Sequence, residues 1–90
     1  MNRTERDELG NQAAQVAEAI EEVMRAMVEE HGLAPEAVIA GVHAQAVAAM
    51  VVAFGGMEAG ERMRATANEI APLPSLADAI LAARAPAGTA

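Results

Sequence analysis

The sequence predicts an all-α fold, and three observations carry that expectation. Apolar residues make up 53% of the 90, yet Phe54 is the single aromatic, and most of the remainder is alanine, valine and methionine. Alanine is the strongest helix former and adds little volume, so closely spaced helices are favoured over a wide core. Apolar positions recur at helical spacing between glycine and proline breaks, and no turn dipeptide joins alternating runs as a β-hairpin would. The expected architecture is an antiparallel helical hairpin, about 5–31 and 35–54, with two shorter helices at about 57–70 and 75–84. Two copies are expected to pair as a dimeric helical bundle.

The first helix opens at Thr4, which with Asp7 resembles a capping box, and Glu5, Asp7 and Glu8 place negative charge where the helix dipole favours it. Leu9, Ala13, Val16, Ile20, Val23 and Met27 then recur at steps of 4, 3, 4, 3 and 4, a heptad seam. Ala17, Met24 and Val28 widen it, while Glu18, Glu21, Glu22, Arg25 and Glu29 occupy the other side, with Glu21 and Arg25 one turn apart. Gly32 suits the left-handed residue that ends a helix, Leu33 the apolar contact beside it, and Pro35 the first turn of the next helix. His31 to Glu36 therefore reads as a tight helix–helix link.

The second helix has a different character. From Ala37 to Phe54 its only polar side chains are His43 and Gln45. A helix apolar nearly all round is buried on several sides or lies in a membrane. Much of the segment is alanine, His43 and Gln45 sit mid-span, and no Trp, Tyr or Lys flanks it, so a membrane span is disfavoured. The preferred reading is a central helix with several helical neighbours. Ala37, Ala40, Ala44 and Ala48 form a small-residue stripe for close approach. Ile39, Val42, His43, Ala46, Val47, Met50 and Phe54 are assigned to an interface with a second copy. His43 and Gln45 are read either as ordinary polar positions or as groups that fix the register of that interface.

Gly55 and Gly56 end the second helix. The third carries Ala59, Met63, Ala67 and Ile70 on one face and is stopped by Pro72 and Pro74. Ser75 with Asp78 caps a last helix whose apolar positions are Leu76, Ile80 and Ala83, and Leu73 lies one turn earlier. Residues 1–84 are expected to form a single helical domain and 85–90 a disordered C-terminal tail. A 90-residue chain buries only about 60–65% of its unfolded surface, and this one has no cysteine to staple it, so self-association is the expected way to complete its core.

The chemistry is sparse. Cysteine, lysine and tyrosine are missing, the lone serine fits a cap, and neighbouring carboxylates such as Glu21 and Glu22 point in different directions. No catalytic residue, metal ligand set or cofactor is therefore expected. His31 and His43 lie on different helices and neither completes a Glu-x-x-His pattern. The net charge of −7 disfavours nucleic acid, since no cation cluster exists to displace counterions. Eight acidic residues against three arginines put −5 of that charge in residues 1–31. No leader-like apolar stretch follows Met1, so the cytoplasm is the default setting.

The expected function is that of a non-enzymatic, homo-oligomeric interaction protein of bacterial or phage type, an adaptor whose partners are itself and another protein. Leu73, Leu76 and Ile80 offer an amphipathic docking segment, unless they only cap their own core. The alternative is a small-molecule or lipid-binding bundle with Met50, Phe54, Met57 and Met63 around an apolar pocket.

Overall fold

The computed structural model describes residues 1–84, so the expectation for 85–90 lies outside the described residues. It contains four helices, about 85% helix and, among the described residues, no strand. The helices are α1 (Arg3–Glu29), α2 (Pro35–Phe54), α3 (Gly56–Ile70) and α4 (Leu76–Arg84). Packing divides the chain into two compact units, and the boundary falls between Ala49 and Met50, inside α2.

In the first unit, α1 starts two residues earlier than its composition suggested. Asn2 is the N-cap, and its side-chain oxygen accepts from the Glu5 N–H at 2.8 Å. This corrects the Thr4–Asp7 assignment: two acceptor side chains stand two residues apart, and the first one captures the free N–H groups. At the other end, Gly32 adopts φ 67° and the Leu33 N–H donates to the Met27 carbonyl at 3.0 Å. A Cβ at Gly32 would be strained against its own backbone in this left-handed conformation, which is why glycine suits the position. Helix α2 begins on Pro35, and the Ala34 carbonyl accepts from Ala37 and Val38 at 3.0 and 3.1 Å. Pro35 has no N–H to leave unpaired at that position.

In the second unit, Gly55 (φ 82°) ends α2 and caps α3 without a side-chain bond. Just beyond that turn the Arg62 guanidinium lies 4.0 Å from the centre of the Phe54 ring and bonds Glu58 at 3.2 Å. Ser75 caps α4 as expected, its hydroxyl accepting from the Asp78 N–H at 3.1 Å.

The core is very small. Among the described residues, Val38 and Ala59 are the buried apolar ones, while sixteen large apolar side chains are exposed. Met24, Met27, Val28, Val42 and Val47 are half-buried in the first unit, as are Met50 and Met63 in the second. The helices are thus specified locally, by caps and periodicity, more than by burial.

Two outcomes follow. Replacing Gly32 by alanine forces a left-handed residue with a Cβ, at a cost of about 1–2 kcal/mol, and calorimetry should show a thermal midpoint lower by several degrees. A double-mutant cycle on Phe54→Leu and Arg62→Ala should return a coupling of about 0.5–1 kcal/mol, because both groups are partly solvated.

Candidate functional site

The first unit carries an open apolar groove of about 760 Å³. One wall is the α1 seam, Val16, Ile20, Val23 and Met27. Leu33 closes the end at the link, and the other wall is Ala37, Val38, Gly41, Val42, Gln45, Ala46 and Ala49 of α2. The heptad spacing places the α1 residues in one row, and the same spacing sends Glu18, Glu21, Glu22 and Arg25 elsewhere on the helix. Accordingly, no charged residue lines the groove, and Gln45 supplies its one side chain able to form hydrogen bonds.

The groove walls are only partly shielded from solvent. Val16, Ile20 and Val23 are 60, 40 and 47% exposed, and Leu33 is 48% exposed. Fully burying a side chain of this kind is worth about 1.5–3 kcal/mol, so the first unit leaves substantial stabilisation available to whatever covers it. The Glu21–Arg25 pair, 3.1 Å apart, sits in solvent and contributes a few tenths of a kcal/mol at most.

Among the residues assigned to an interface, Val42 and Ala46 line the groove. Ile39, His43 and Val47 lie on α2 outside its lining; Ile39 and His43 are exposed and Val47 is half-buried. Met50 and Phe54 fall in the second unit, where Phe54 meets Arg62. The small-residue stripe expected for the approach of another helix lies mostly outside the groove. Of Ala37, Ala40, Ala44 and Ala48, only Ala37 reaches the groove, and the α2 wall instead contains the row Ala37, Gly41, Gln45, Ala49 at steps of four. Gly41 and Ala49 are the residues that sequence reasoning missed.

The residues proposed for a methionine-lined pocket lie outside the groove. Met57 is 82% exposed, Met50 and Met63 are half-buried, and none of them lines the groove. Among the described residues, no three His, Asp or Glu side chains come close enough to hold a metal ion. By length and composition α2 could cross a membrane, and 6% of its apolar window is buried in this chain.

Fold and site together define a four-helix, all-α chain with an uncharged groove on its first unit. Set against known protein families, curated proteins and solved structures, the chain matches none.

Proposed function

We propose that this chain is a non-enzymatic, homo-oligomeric helical protein that acts in the cytoplasm through protein–protein interaction. In this reading α1 and α2 form an antiparallel hairpin, residues 1–84 work as one helical domain, and two copies share the core that one copy lacks. The observation that carries it is the groove: twelve lining residues from both helices, none charged, beside α1 residues that stay 40–60% exposed. An uncovered face of this kind marks a binding surface. The acidic side chains of α1 lie away from it, so two chains of net charge −7 can meet there without bringing like charges together.

A second reading is a small-molecule or lipid-binding bundle. The groove volume of about 760 Å³ favours it, being within the range of ligand sites. Against it, such sites bury about 70–90% of a ligand's surface, and a cleft with two walls buries less. A fatty acid that raised the melting temperature of a monomeric chain would select this reading over self-association.

Light scattering after gel filtration decides the matter, with refractive-index detection because the chain has no Trp or Tyr. The expected mass is twice 9.2 kDa or more and persists on dilution. Ala46→Glu places a charge in the groove at an exposed position and should return the chain to 9.2 kDa with its helical circular dichroism retained. A stable wild-type monomer would overturn the proposal.

A further inference from the structure

We draw no further inference here: the strongest candidate, the open apolar groove between α1 and α2 of the first unit, is an unpartnered face, and nothing in the structure shows what covers it.

Discussion

The structure depends on one constraint: α2 is apolar nearly all round, and its own chain covers little of it. From Ala37 to Phe54 it presents no charged side chain, and its two polar residues are neighbours but one. Water is a poor solvent for such a helix on every side, and its apolar window is only 6% buried within the chain. The heptad seam of α1 covers one side, the Gly32 turn brings α1 and α2 into one unit, and the remaining surface is the open groove.

The helices themselves need little of this packing to be defined. Asn2 and Ser75 cap α1 and α4, Pro35 opens α2, and Gly32 and Gly55 take the positive φ values at two helix ends. The Glu21–Arg25 and Glu58–Arg62 pairs add exposed one-turn contacts of small value. The result is a chain with firm local structure and almost no private core, Val38 and Ala59 being its buried apolar residues. Local specification explains why four helices persist with so little buried.

Legibility follows the same division. The α1 seam, the Gly32–Leu33–Pro35 link and the Ser75 cap were readable because each is a short-range rule involving residues at most a few positions apart. The α1 cap was misassigned for an equally local reason: Asn2 and Thr4 are both good acceptors, and which one captures the first N–H groups turns on a single turn of helix. The face of α2 that meets α1 was harder to see. With no polar side to turn outward, the sequence does not mark which row of α2 faces α1, and the row Ala37-Gly41-Gln45-Ala49 is the one that lines the groove with it.

By itself, the sequence determined four helices, their breaks and the separation of α1's acidic side chains from its seam, since these follow from periodicity, capping and backbone sterics within a few residues. Tertiary structure decided which residues of α2 line the groove with α1, that His43 lies outside it and Gln45 within it, and that Phe54 meets Arg62. Those outcomes depend on the rotation of one helix about its axis. In a helix without polar asymmetry only contact with a neighbour sets that rotation.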